Sequence, residues 1–304
     1  MKYLVTGGAG FIGSHLVDKL IEDGHSVAIL DNLSTGQKEN INPRAEFHLA
    51  DIVNFTDIQA LFRGLDGVFH LAAIPRVPVS VEDPIGTSQV NIMGTLNVFK
   101  ASQEAGVKRV VFASSSSVYG NQKEMPLRED MMSSPVSPYG LQKSVGEQLA
   151  KLFSELYNLP VVSLRFFNVY GPRVDFNSDY SLVLGKFLRQ KSQGKSLTVC
   201  GNGEQTRGFC FVTDVVAAII KAIEVSSLKG GEIINVGGGK SHSVNYLASL
   251  ISSEIEYIPE RPGDVLHTSA NTEKAKALLG WEANVSLEEG VAITKKWFEQ
   301  RVKN

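Results

Sequence analysis

Tyr139 and Lys143 stand four apart in YGLQK, so a helix through this segment puts a phenol and an ammonium on one face. A phenol is a poor base at its reference pKa near 10, but a neighbouring positive charge stabilises phenolate and lowers that value. A phenolate so placed can take the proton of an alcohol while hydride leaves the same carbon. Taken alone the pattern recurs by chance, and a solvated surface pair is its bland reading. Position argues for chemistry, because the segment follows SSSSVYG at 114–120, where hydroxyls gather at the end of an apolar run.

The elements that must hold these groups are legible as apolar segments alternating with helical periods. KYLVT at 2–6, SVAIL at 26–30, GVFHLA at 67–72, RVVFAS at 109–114 and VVSLRFF at 161–167 predict strands, and their alternation with helices predicts a parallel sheet. Ile12, Leu16, Val17, Leu20 and Ile21 form one stripe of a first helix that stops at Gly24. Further helices are expected at about 84–106 and 137–157, completing a doubly wound α/β Rossmann unit over residues 1–168. Beyond RFFNVYGPR at 165–173 the pattern loosens into a smaller C-terminal substrate-binding lobe over 169–304. Helices are expected there near 182–193, 243–252, 271–279 and 286–302. Residues of about 213–236 are expected to return to the first sheet.

Composition sets outer bounds. The chain has 304 residues, with 30 Lys+Arg against 32 Asp+Glu, a formal charge of −2 that excludes a strongly basic nucleic-acid surface. No apolar run approaches the roughly 18 residues of a membrane span. Cys200 and Cys210 cannot make a disulfide framework, and MKYLVTGG enters a strand without the marks of a signal peptide, so the cytoplasm is the expected compartment. No His, Cys or Asp spacing suggests a metal site.

Gly7, Gly10 and Gly13 in TGGAGFIG fall between the first strand and the first helix. Glycines there permit a tight turn, close approach of a pyrophosphate and close helix packing. Asp31 ends the second strand, where a carboxylate accepts from both ribose hydroxyls and repels a 2′-phosphate. NAD is therefore expected over NADP. Asp51-Ile52 and Ala72-Ala73 lie at further carboxyl ends of strands, whereas His70 reads as a packed strand residue.

TGGAGFIGSHLV, DNLSTG, HLAA, VNIMGT, SSSSVYG, YGLQK, RFFNVYGPR and RPGD occur in this order along nearly the whole chain. In this the sequence resembles the extended short-chain dehydrogenase/reductase family, and within it the nucleotide-sugar epimerases of the UDP-glucose 4-epimerase type. The resemblance implies Tyr139 as base, Lys143 as the group that holds the nicotinamide ribose and tunes Tyr139, and Ser115 as assisting hydroxyl. Ser114 and Ser116 remain open alternatives. It implies cofactor contacts from Gly7, Gly10, Phe11, Ile12, Gly13, Asp31, Asn32, Asp51, Ile52, Ala72, Ala73, Asn91, Tyr139, Lys143 and Phe167, although Asn91 reads equally as an interior helix residue. For the substrate it implies Ser115, Asn168, Val199, Arg207, Arg261, Asp264 and Thr268, with Arg207 and Arg261 clamping a diphosphate.

Two departures matter. Arg207-Gly208-Phe209 replaces the family's common Arg-Asp-Phe, which removes a carboxylate that would orient Arg207. Ser116-Ser117 stands where related 4,6-dehydratases carry an acidic pair, so water elimination lacks its proton carriers. The expected activity is NAD-dependent 4-epimerisation of a UDP-hexose, glucose/galactose or their N-acetylamino forms. A nucleotide-sugar reductase or dehydratase, or a non-catalytic NAD-binding scaffold, is the alternative. The expected partners are a UDP-sugar and a second copy of the chain, with no nucleic acid and no membrane. The helices around 84–106 and 137–157 are expected to pair in that homodimer, with Val90, Leu96, Val98, Phe99, Leu149, Leu152 and Phe153 as apolar candidates.

Overall fold

The computed structural model describes residues 1–176, 183–259 and 267–302. Its centre is a parallel sheet of seven strands: β1 (Lys2–Thr6), β2 (Ser26–Asp31), β3 (Glu46–Leu49), β4 (Gly67–His70), β5 (Val110–Ser115), β6 (Val161–Phe166) and β11 (Ile233–Val236). They lie in the order β11-β6-β5-β4-β1-β2-β3. The order reverses between β1 and β4, and the crevice outside the carboxyl ends of those two strands is where such sheets bind ligands.

Successive strand residues face opposite sides, and both sides are apolar. Val5, Ile29, Phe69, Val111 and Val162 pack on one side with Leu16, Val17 and Leu20 of α1 (Phe11–Glu22) and Val215 and Ile219 of α8 (Val212–Glu224). Leu4, Leu30, Val68, Val110 and Phe112 pack on the other with α5 (Thr95–Glu104) and α6 (Pro138–Leu156) through Val98, Phe99, Ala150 and Phe153. This is a doubly wound Rossmann sheet. β11 pairs with β6, so the late segment EIINV joins the first sheet.

The single helix expected at 84–106 is several pieces. After α2 (Phe55–Ile58) and β4 come α3 (Val77–Glu82), α4 (Pro84–Ser88), a π-helical turn over Gln89–Gly94, and then α5. The widened turn holds Asn91, whose side chain is bonded to the distant backbone of Ile74. A tertiary contact thus overrides the regular period.

Beyond β6 the chain forms β7 (Val169–Tyr170), α7 (Val183–Ser192), β8 (Leu197–Cys200), β9 (Thr206–Arg207) and β10 (Cys210–Phe211), and Val169, Leu184, Val199 and Phe211 join the same core as the sheet. After β11 follow β12 (His242–Ser243), α9 (Val244–Ser249), β13 (Ile255–Ile258), β14 (His267–Thr268), α10 (Glu273–Leu279) and α11 (Leu287–Val302). β9 runs between β12 and β14, which places Thr268 opposite Arg207. Among the described residues no helix is long and apolar enough to cross a membrane.

The apolar candidates for self-association divide. Val98, Phe99 and Phe153 are buried inside the chain, which removes them as interface residues. Leu152 is exposed, as are Ile85, Met93, Leu141 and Leu156 on the neighbouring helices.

Candidate active site

The glycine turn lies at the point where strand order reverses. Gly7 has φ +74°, and a Cβ there would come within 2.7 Å of the Ala72 nitrogen at the end of β4. A Cβ on Gly13 would lie 2.1 Å from the Gly7 oxygen. Neither position tolerates a side chain, and Gly10 is only less crowded, at 3.2 Å. Gly10 caps α1 with no side-chain bond. The first turn, opened by Phe11 and Ile12, therefore presents its N–H groups and the positive end of its dipole to the crevice.

Asp31 closes β2 with its carboxylate nearly buried. One oxygen accepts from the Ala9 nitrogen at 3.0 Å and the other from the Leu33 nitrogen at 2.8 Å. Burial raises its pKa while these two bonds pull it down. Each oxygen keeps acceptor capacity, which fits a ribose diol and opposes a phosphate. Asn32 donates to Asp51 at 2.9 Å, joining the ends of β2 and β3. Ile52 is a core residue beside Gly94, and Ala72 and Ala73 line the end of β4.

Sequence reasoning missed the buttress behind this crevice. The Thr6 hydroxyl accepts from the Ala72 nitrogen at 3.2 Å and bonds His70 Nδ1 at 2.8 Å, while His70 Nε2 bonds Thr95 at 3.0 Å. His70 is a packed strand residue, as expected. Burial first, and the Lys143 charge second, push it down to about 3.

Tyr139 and Lys143 sit in the first turns of α6, which starts where the Ser137 hydroxyl accepts from the Gly140 nitrogen and Pro138 fills the first helical position. Ser115, at the end of β5, lies beside the Tyr139 phenol and pulls its pKa down, while its hydroxyl donates to Ser117 at 3.2 Å and accepts from the Ser117 nitrogen at 3.1 Å. Ser114 is directed elsewhere, donating to Glu147 at 2.5 Å. Among the serines left open by the sequence, Ser115 is the one that acts on the phenol's pKa.

Burial pushes Tyr139 up to about 12, and the protein groups that pull it down are Ser115 and the charge of Arg76. Lys143 Nζ instead donates to the Ala113 carbonyl at 2.7 Å and lies 5.9 Å from the Tyr139 ring centre. Burial takes Lys143 down to about 7, against the pull of Glu147. Arg76 and Ser80, whose hydroxyl accepts from the Tyr139 nitrogen at 3.0 Å, carried no signal in a single sequence.

Asn91 is committed to protein. Its amide donates to the Ile74 carbonyl and to Gln142, and its oxygen accepts from the Ile74 nitrogen at 2.8 Å. This is the interior reading, and it holds the chain beyond Ala73 in place. Phe167 is fully buried against Val118, Tyr119 and Leu127.

On the other flank Asn168, at φ +40°, places its amide 3.5 Å from both the Gly208 carbonyl and the Thr268 hydroxyl. Asn168, Thr268 and the Arg207-Gly208 turn thus come together from three segments. Gly208 donates to the Thr268 carbonyl at 2.8 Å, and one Arg207 nitrogen donates to the Thr206 carbonyl. Val199 is 1% exposed in the main core, so its side chain is enclosed by protein. Arg261 and Asp264 lie outside the described residues.

Residues 3–237 match the NAD dependent epimerase/dehydratase family. A UDP-glucose 4-epimerase of Mycolicibacterium smegmatis is 38% identical, covering 99% of each chain. The structure of a UDP-glucose 4-epimerase with UDP-glucose from Thermotoga maritima superimposes with TM-score 0.95 at 39% identity, covering 99% of this chain and 100% of that one. That of a UDP-N-acetylglucosamine 4-epimerase from Methanobrevibacter ruminantium, in complex with UDP-N-acetylmuramic acid, gives 0.94 at 39% identity, covering 99% and 98%.

Proposed function

We propose that this chain, which belongs to the NAD dependent epimerase/dehydratase family, is a 4-epimerase of UDP-hexoses. The observation that carries the reading is the buried pair Tyr139 and Lys143, one helical turn apart at the start of α6, with Ser115 at the end of β5 beside the phenol. Residues 1–168 with 213–236 would hold the dinucleotide, and 169–304 the nucleotide sugar.

NAD, when bound, supplies the acceptor and donor of hydride. As phenolate, the state that a nearby positive charge favours, Tyr139 would take the proton of the sugar 4′-hydroxyl and later return it, with the Ser115 hydroxyl holding the oxygen between them. Lys143 supplies a buried positive charge one turn below the phenol. Asn168, Arg207 and Arg261 anchor the diphosphate while the hexose turns and presents its other face. The sum leaves no net oxidation, and the protein contributes orientation and electrostatic tuning. Ser116 and Ser117 offer no carboxylate for water elimination, which favours epimerisation over dehydration. Thr268 beside Asn168 leaves room at the sugar's C2, so the reading extends from UDP-glucose and UDP-galactose to their N-acetylamino forms. Ile85, Leu141, Leu152 and Leu156 give the proposed homodimer an apolar face.

The test is turnover of these four sugars by purified protein without added NAD. Interconversion at C4 is expected, and Tyr139→Phe should lower it roughly 10²- to 10⁴-fold. Turnover that requires added dinucleotide would indicate a reductase instead.

A further inference from the structure

Tyr139, Lys143 and Glu147 recur every fourth residue on α6, and all three are at least nine-tenths buried. The mechanism above uses only the first two. Glu147 has an elaborate setting. Its two oxygens accept from Arg165 Nε at 2.8 Å and from a terminal Arg165 nitrogen at 2.7 Å, and Ser114 donates to it at 2.5 Å. Arg165 is 3% exposed and its guanidinium lies 4.4 Å above the Tyr119 ring. The Tyr119 hydroxyl in turn donates to Asn235 on β11 at 2.7 Å. The carboxylate is thus fixed from β5 and β6 beneath the catalytic helix.

Resting on the epimerase reading, we propose that Glu147 is a positioning residue whose buried charge keeps Lys143 protonated for catalysis. A lysine enclosed this fully tends to shed its proton, because burial disfavours the ammonium. The groups facing it are few. From β4 comes His70, kept neutral by burial, and from β5 only the Ala113 carbonyl accepts its proton. On its own helix Tyr139 is a neutral phenol, and Arg76 approaches that phenol from the start of α3. Arg165 on β6 is a second cation, already paired. Glu147 is the charge that raises Lys143 against desolvation. A buried carboxylate with one bidentate arginine would be a structural strut. One that also lies a turn beyond a fully buried lysine sets that lysine's charge.

The test is an NMR titration of Lys143 in protein labelled at the lysine ε-carbon, with the signal assigned by its loss in Lys143→Met. In Glu147→Gln the midpoint should fall by on the order of one pH unit or more, and the alkaline limb of kcat should move down with it. Glu147→Gln leaves Arg165 buried without its partner and risks misfolding. Glu147→Gln/Arg165→Met removes both charges, and a downward shift, smaller than in Glu147→Gln because a neighbouring cation is also gone, is expected there. Glu147→Asp should restore much of the wild-type midpoint. An unmoved Lys143 midpoint in the folded double variant overturns the proposal, whatever the loss in stability. Because the titration needs no substrate, failure of the epimerase reading would show separately, as absent turnover with an intact shift.

Discussion

Ser114 donates to Glu147 at 2.5 Å, whereas the adjacent Ser115 lies beside the Tyr139 phenol and lowers its pKa. Neighbouring residues of a strand project to opposite faces, so one hydroxyl enters the site and the other the packing beneath α6. Ser115→Ala should therefore lower kcat about 10- to 100-fold, the worth of a hydrogen bond to a group that becomes charged. Ser114→Ala should lose less in kcat and show its main cost in stability. Steady-state rates with denaturant unfolding of both variants check this, and a larger kcat loss in Ser114→Ala would reverse the assignment.

Asp31 should keep NAD on the protein through purification. Asp31→Ala removes an acceptor pair that backbone bonds from Ala9 and Leu33 hold in place. Affinity should drop on the order of 10- to 100-fold. The dinucleotide released on denaturing each protein can be assayed in the supernatant. Full NAD content in Asp31→Ala would assign the ribose contact elsewhere.

His70 makes stability fall on the acid side. Its folded value near 3 lies below the ordinary 6.5, so between those limits the unfolded chain binds a proton that the folded chain refuses. The contribution is intact above about pH 6.5 and is lost as pH falls toward 3. Between pH 7 and pH 5 the loss should be about 2 kcal/mol. Urea unfolding at the two values measures it. His70→Gln should be less stable at pH 7 but less steep with pH, and an unchanged slope would clear His70 of the effect.

Thr268 should let the pocket admit a 2-acetamido group. It stands opposite Arg207 and 3.5 Å from the Asn168 amide. Wild-type rates on UDP-glucose and UDP-N-acetylglucosamine should be comparable, and Thr268→Tyr should lose the second selectively through steric exclusion. Equal losses on both sugars would mean that Thr268 does not face C2.

The inner strands of the sheet are legible because they are buried on both faces and read as continuous apolar runs, as in GVFH and VVSLRF, whereas the edge strand β3, EFHL, is half-exposed and gives no such run. The glycine turn and the Tyr139–Lys143 spacing were legible because each is fixed by local geometry. What escaped depends on contacts between distant segments. The π-helical turn at 89–94 follows from Asn91 gripping Ile74, and nothing in VNIMGT encodes that partner. Glu147 looks like any helix glutamate until Arg165 arrives on β6. The charge of Arg76 reaches the Tyr139 phenol from another element, and nothing in the sequence around either residue encodes that approach.

The central claim is that hydrogen at C4′ leaves and returns within one bound complex while Tyr139 handles only the proton. UDP-glucose carrying deuterium at C4′ tests it most directly, with the purified protein in ordinary water and no added dinucleotide. The UDP-galactose formed should retain the deuterium at C4′. Deuterium lost to solvent would mean that the carbon is deprotonated instead, and the hydride mechanism proposed for Tyr139, Ser115 and Lys143 would not hold.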